Sequence, residues 1–156
     1  MNILRTNIGW VLTIGLALFP HGSLWANQDK VFCDQAKQMF GEISQQLPIR
    51  IDSTSEMTSI TALHLSRHCY VTFLYSLDVR LMYSEMRKEF GEAMRMTEDE
   101  YIQTWREEKF RQEFAQYLLS QLPKETREMA SFPFASVKLV YHFWPHWVEP
   151  LAVEVD

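Results

Sequence analysis

MTSITALHLSRHCYVTFLYSLDV, residues 57–79, is the stretch of sequence from which the fold is predicted. Residues 57–66 and 70–79 are both rich in the β-branched and aromatic side chains that strands favour. In the second segment the more apolar face is formed by alternate residues, namely Val71, Phe73, Tyr75, Leu77 and Val79. The alternation predicts an antiparallel β-hairpin, joined across residues 67–69, whose second strand turns this apolar face toward the core.

Helical periodicity precedes and follows the hairpin. Apolar residues between Asp29 and Gln46 recur at steps of three and four, which predicts an N-terminal amphipathic helix that ends before Pro48. Residues 82–94 keep the same spacing and predict a second helix. Thr97 is followed three residues later by a glutamate, the spacing of a capping box, so we expect a third helix that begins there and ends before residue 123.

The C-terminal segment returns to strand character. Residues 136–143 and 151–155 alternate in polarity, and residues 144–147 turn the chain between them. The element order is therefore N-terminal helix, β-hairpin, two helices, C-terminal β-hairpin. Two isolated hairpins are marginally stable, so we expect them to form one antiparallel sheet packed by helices, a single α+β domain over residues 27–156.

Composition and charge exclude several functional classes. The 156 residues are 47% hydrophobic, which is enough to build a core and argues against a disordered chain. Lys and Arg number 15 against 20 Asp and Glu, a net charge of −5, so a nucleic-acid partner is not expected. Neither a Walker motif nor a Gly-x-Gly-x-x-Gly pattern occurs after residue 26, which excludes the glycine-rich phosphate-binding loops.

Residues 1–26 have the features of a secretory signal peptide. Arg5 precedes an uncharged apolar run over residues 8–19, and Ala26 is a small residue at the expected cleavage site. Twelve helical residues extend about 18 Å, too short for a hydrocarbon core of about 30 Å, so we expect no stable membrane span after cleavage. Cleavage leaves 14 basic and 20 acidic residues, a charge of 14 − 20 = −6. The predicted location is the periplasm or the exterior.

Two cysteines, Cys33 and Cys69, are the only thiols of the chain. An exported protein meets an oxidising compartment, where an even count of two allows one intramolecular disulfide. Such a bridge would tie the first helix to the tip of the hairpin. The competing interpretations are a free buried thiol, a nucleophile or a metal ligand.

A set of short motifs runs through the central and final parts of the chain. Leu47-Pro48 is followed by Asp52 and Thr54, then by a strand with Phe73-Leu74-Tyr75 and a last strand with Val140-Tyr141. In these motifs the chain resembles small exported bacterial proteins of uncharacterised function. The resemblance implies an exported α+β fold and implies no activity.

Histidines give the only pattern that favours metal chemistry. His64 and His68 are four residues apart, and so are His142 and His146. If the two hairpins were adjacent, two or three imidazoles could converge on Zn²⁺ or Cu²⁺. Residues four apart on a strand are about 13 Å apart, however, so ligation would need a bend or a helix at each pair. Scattered surface or turn histidines are the other interpretation, and we predict no metal site.

The turn before the last strand is densely aromatic. Phe143, Trp144, His146 and Trp147 lie within five residues of one another. Exposed tryptophans are costly, so these side chains either fold back onto the core or form a contact patch for a partner, a ligand or a membrane interface. Tryptophan is favoured at binding hot spots, and the four residues are therefore the candidate binding residues.

The sequence thus predicts an exported, non-enzymatic binding or accessory protein of a bacterial envelope system. Its acidic charge would suit a basic protein partner in the cell envelope. No catalytic residue and no cofactor is predicted. The alternative is a metal-binding protein or an enzyme that uses His64, His68, His142 and His146.

Overall fold

The computed structural model describes residues 27–146 and 148–155, which form a mixed α+β fold. The predicted signal peptide, Trp147 and Asp156 lie outside the described residues. The helices are α1 (Gln28–Ser44), α2 (Val79–Phe90), α3 (Glu98–Thr104), α4 (Glu108–Gln121) and α5 (Lys124–Ala130). The strands are β1 (Ile49–Arg50), β2 (Ser55–Leu65), β3 (His68–Asp78), β4 (Ala135–Trp144) and β5 (Leu151–Val155).

One five-stranded sheet runs in the order β1-β2-β3-β4-β5 and is mixed. Its neighbours pair antiparallel except β3 and β4, which are parallel, with Cys69 opposite Ala135 and Asp78 opposite Trp144. The prediction of a wholly antiparallel sheet is therefore wrong. The helical connection leaves β3 at Asp78 and returns to its opposite end, where the Cys69 amide donates to the Phe134 carbonyl at 2.8 Å. Strand β4 thus starts beside the start of β3.

The helical connection holds more elements than the spacing predicted. Residues 97–122 were expected to form one helix, but the chain turns at Trp105–Glu107 and forms α3 and α4, and α5 follows as a helix that was not predicted. Trp105 at this turn is 1% exposed and packs on the rings of Phe110 and Phe114, with distances between ring centroids of 5.0 and 4.9 Å. Burial of this large ring at the turn joins α3 and α4 to one core. The predicted capping box of Thr97 with Glu100 is confirmed.

The central hairpin forms as predicted, with a tighter turn. Strand β3 begins at His68, so Ser66 and Arg67 alone make the turn, with φ of 52° and 63°. Two left-handed residues match the twist of the strands they join. The expected core face of this segment is buried throughout: Val71, Phe73, Tyr75, Leu77 and Val79.

The helices pack on the side of the sheet that carries this apolar face. Phe40 of α1 packs on Phe73 with ring centroids 5.9 Å apart, and Trp105 packs on Phe143 of β4 with ring centroids 5.1 Å apart. On the opposite side, the alternate residues from His68 to Asp78 and from Ser136 to Trp144 are all half-buried or exposed. We call this side the open face.

Within the described residues, no helix combines the length and the apolar character that a membrane crossing requires.

The predicted disulfide joins Cys33 of α1 to Cys69 of β3, and both residues are fully buried. Their Cα atoms are 5.4 Å apart and 36 positions apart in sequence. The bridge therefore fixes α1 against the hairpin tip, as expected. The alternative roles of these cysteines, as free thiols or metal ligands, do not apply to the bonded pair.

Removing the bridge should destabilise the fold. In the chain-entropy model, a loop of 36 residues corresponds to about 3–4 kcal/mol. The Cys33→Ala/Cys69→Ala variant should lose about this much free energy of unfolding in guanidinium titrations. The wild type with a reductant is the matched control and should fall to the level of the variant. A loss below about 1 kcal/mol in both would contradict this role of the bridge.

Candidate binding cleft

A cleft of about 530 Å³ opens at the end of the sheet where the parallel strands β3 and β4 finish. In open α/β sheets, ligands bind beyond the carboxyl ends of the parallel strands, and this cleft occupies the corresponding place at the one parallel pair of the mixed sheet. The segment from β1 to the start of β2 forms one side, and β3, α2 and the last residue of β4 form the other. Its main lining side chains are Arg50, Asp52, Glu56, Asp78, Leu81 and Trp144, with hydroxyl groups of residues 53–55 and Ser76 between them.

The turn between β1 and β2 is fixed by side-chain hydrogen bonds. Asp52 Oδ1 accepts from the Thr54 amide at 2.7 Å and from the Thr54 hydroxyl at 2.9 Å. This is an Asx-turn, in which the carboxylate replaces a backbone partner. Thr54 is buried, and its carbonyl accepts from the Asp78 amide at 2.8 Å. The turn is thereby held against the end of β3, so this wall of the cleft is formed before any ligand binds.

Asp78 is placed by the start of α2. Its Oδ1 accepts from the Leu81 amide at 2.9 Å, which makes Asp78 the N-cap of the helix. In the parallel register the same residue lies opposite Trp144. A carboxylate and an indole therefore stand side by side at the edge of the cleft.

The predicted aromatic patch divides between the core and the surface. Phe143 is buried against Trp105, and the guanidinium of Arg111 lies 5.9 Å from its ring centroid. Trp144 is 47% exposed and lines the cleft. His146 is exposed and meets the Trp144 ring edge-on, with centroids 4.5 Å apart. Of these residues, Phe143 thus folds back onto the core, whereas Trp144 and His146 are left at the surface.

Negative charge dominates the cleft. Three carboxylates, of Asp52, Glu56 and Asp78, face one guanidinium, that of Arg50, so the sum is 1 − 3 = −2. Arg50 donates through Nε to the Asp52 carbonyl at 3.0 Å and through Nη2 to the Ser53 carbonyl at 3.1 Å. Among the described residues, none of the three carboxylates belongs to an ion pair. Arg50 lies opposite Glu56 in the sheet register, so the cleft presents a net negative charge, partly balanced by this guanidinium, next to an aromatic ring.

Three of the four histidines that might have shared a metal, His64, His68 and His142, lie apart. His64 lies on the helix-covered side of the sheet, and its Nε2 is hydrogen-bonded to Asp29 Oδ2 of α1 at 2.7 Å. His68 lies on the open face, and His142 lies opposite Ser76, eight positions further along β3, which is about 26 Å. In the parts of the chain that the structure describes, no group of three His, Cys, Asp or Glu could hold a metal ion. Among the described residues, no three of the four histidines therefore converge on one site.

His68 has a different neighbour of chemical interest. Its Nε2 shares a hydrogen bond of 2.7 Å with the Ser136 hydroxyl, and its ring packs on Tyr70 at 4.8 Å. A serine within hydrogen-bond reach of an imidazole is the basic unit of nucleophilic catalysis by serine. The pair is non-local, 68 residues apart, and depends on the parallel register.

No sequence pattern marked the carboxylates of the cleft as a site, and Asp52 was noted only within a motif, although two local signals were present. Asp52 two residues before Thr54 is typical of an Asx-turn, and Asp78 directly before α2 is typical of an N-cap. Each signal identifies a structural hydrogen bond. Neither shows that the two residues meet, because only the sheet pairing brings them to one cleft.

The bond between Asp29 and His64 predicts a pH-dependent stability. The hydrogen bond from His64 lowers the pKa of the Asp29 carboxyl below its ordinary value of 3.8. A carboxyl with a lowered pKa stabilises the fold above its ordinary value, and this stability is lost as the pH falls through the lowered one. The Asp29→Asn variant should therefore be less stable than wild type near neutral pH, and the difference should vanish in acid.

Urea titrations over a pH series measure this difference. Asp34→Asn is the matched control, because Asp34 lies on the same helix with an exposed bridge to Lys37 at 3.8 Å. Its effect should be smaller at every pH. A deficit of Asp29→Asn that stays constant from neutral pH into acid would contradict the assignment.

Comparisons of the chain with protein-family models, with curated proteins and with solved structures found no match.

Proposed function

We propose that the protein is an exported, non-enzymatic binding or accessory protein of a bacterial cell envelope, and that the cleft at Trp144 is its contact surface. The observation that carries the proposal is the half-exposed indole of Trp144 on the wall of a cleft whose turn is already fixed. Tryptophan is enriched among the residues that dominate binding energy. A wall that is ordered before binding reduces the entropy lost on association.

Two observations support export. The leader-like residues 1–26 predict translocation, and the buried bridge between Cys33 and Cys69 is of the kind that persists in oxidising compartments. The periplasm and the exterior both fit this chemistry.

The arrangement of the cleft supports binding as the role of its carboxylates. Asp52 and Asp78 each use one oxygen, Oδ1, in hydrogen bonds that shape the cleft: two for Asp52 and one for Asp78. The proposal assigns them no proton transfer and requires no cofactor.

Partner capture tests the proposal. The tagged full-length chain, exported by a bacterial host and cross-linked in the envelope, should retain a defined partner that the Trp144→Ala variant loses. Phe90→Ala is the matched control, because Phe90 is a 54% exposed aromatic on α2 that does not line the cleft. Quantitative mass spectrometry should show the partner at wild-type level with Phe90→Ala. Equal recovery with Trp144→Ala and Phe90→Ala would count against the cleft as the contact surface.

The hydrogen bond between His68 and Ser136 favours a second candidate function, a hydrolase. We rank it lower because, within the described residues, no carboxylate bonds to His68 to orient its ring. A fluorophosphonate probe separates the two candidates. Binding as the sole function predicts no labelling of the folded protein, whereas labelling that Ser136→Ala abolishes would show an activated serine and favour the hydrolase.

A further inference from the structure

We propose that the cleft recognises a positively charged side chain, the guanidinium or ammonium group of a basic segment of a partner protein. This inference rests on the proposed binding function and states the chemistry of the group that enters. It follows from the relative positions of Glu56, Asp78 and Trp144, and from the two hydrogen bonds that Arg50 donates to backbone carbonyls of the turn.

The sheet register places two carboxylates around the indole. Glu56 lies opposite Ser76, two residues before Asp78 on the same face of β3, and Asp78 lies opposite Trp144. Two residues of a strand extend about 6.6 Å, and neighbouring strands are about 4.8 Å apart. A single side chain that enters the cleft can therefore contact the indole and lie within reach of both carboxylates.

Charge selects a cation among the possible ligands. An anion would meet the three carboxylates of Asp52, Glu56 and Asp78, and the one guanidinium present already donates to two backbone carbonyls. A cation gains from both carboxylates and from the electron-rich face of the indole. The exported chain without residues 1–26 carries 14 − 20 = −6, a charge that attracts a basic partner from a distance.

The remaining lining residues favour a side chain over a bare metal ion. In the described part of the chain no three carboxylates or histidines stand close enough to share a metal. Leu81 supplies an apolar wall beside Asp78. Arginine and lysine have an apolar stem and a charged end, so a cleft with an apolar wall, an indole and carboxylates fits both parts of such a side chain.

Titration with two small probes tests this. N-acetylarginine amide carries the cation, and N-acetylcitrulline amide has nearly the same shape without the charge. In nitrogen–proton NMR spectra of the full chain, the arginine probe should shift the Trp144 indole and Asp78 amide signals, with a smaller effect at higher salt. The citrulline probe should leave both signals in place.

Charge-neutral variants locate the effect. Glu56→Gln and Asp78→Asn should each lower the affinity for the arginine probe about two- to fivefold. The asparagine at position 78 can still cap α2, so the helix should be kept. Glu154→Gln is the matched control, since Glu154 is an exposed carboxylate of β5 outside the cleft and should leave the affinity unchanged.

The outcomes separate the inference from the proposed function. Equal shifts by both probes, no shift by either, or unchanged affinity in Glu56→Gln and Asp78→Asn would overturn the cation assignment. The binding function would survive these results if partner capture still depended on Trp144. If capture is independent of Trp144, the binding function fails whatever the probes show.

Discussion

The parallel pairing of β3 with β4 is the constraint on which the rest of the structure depends. Both strands finish at the same end of the sheet, so the residue that caps α2, Asp78, stands opposite Trp144. The Thr54 carbonyl accepts a hydrogen bond from the Asp78 amide, which holds the turn before β2 at this end of the sheet. With antiparallel pairing of these strands, the indole would lie at the opposite end of β3, and the cleft would lack its aromatic wall.

Core packing maintains that pairing. Trp105 occupies the turn between α3 and α4 and contacts Phe143, the neighbour of Trp144 in the chain. At the other end of the sheet, the disulfide between Cys33 and Cys69 fixes α1 where β3 begins. The buried side of β4 is thus held by the core, and the alternation of a strand leaves Trp144 on the open face. One stretch of chain therefore serves stability through Phe143 and, in the proposed function, binding through Trp144.

Local patterns in the sequence predicted the parts of this fold that depend on neighbouring residues. The alternation of residues 70–79 predicted the buried face of β3, and the spacing of Thr97 and Glu100 predicted the start of α3. The direction of β4 could not be predicted in this way, because it depends on the end of β3 to which the helical connection returns, and no local pattern records this. The turn at Trp105 has no proline or glycine to mark it, so a continuous apolar spacing concealed the break between α3 and α4. The cleft could not be predicted from local patterns either, because its carboxylates and its indole come from separate elements that only the sheet brings together.

The strand direction can be measured directly. Nuclear Overhauser effects between backbone protons of β3 and β4 report which residues face one another. The parallel register predicts contacts of Cys69 with Ala135 and of Asp78 with Trp144. Contacts of Cys69 with Trp144 and of Asp78 with Ala135 would show antiparallel strands, and the cleft described above would not exist.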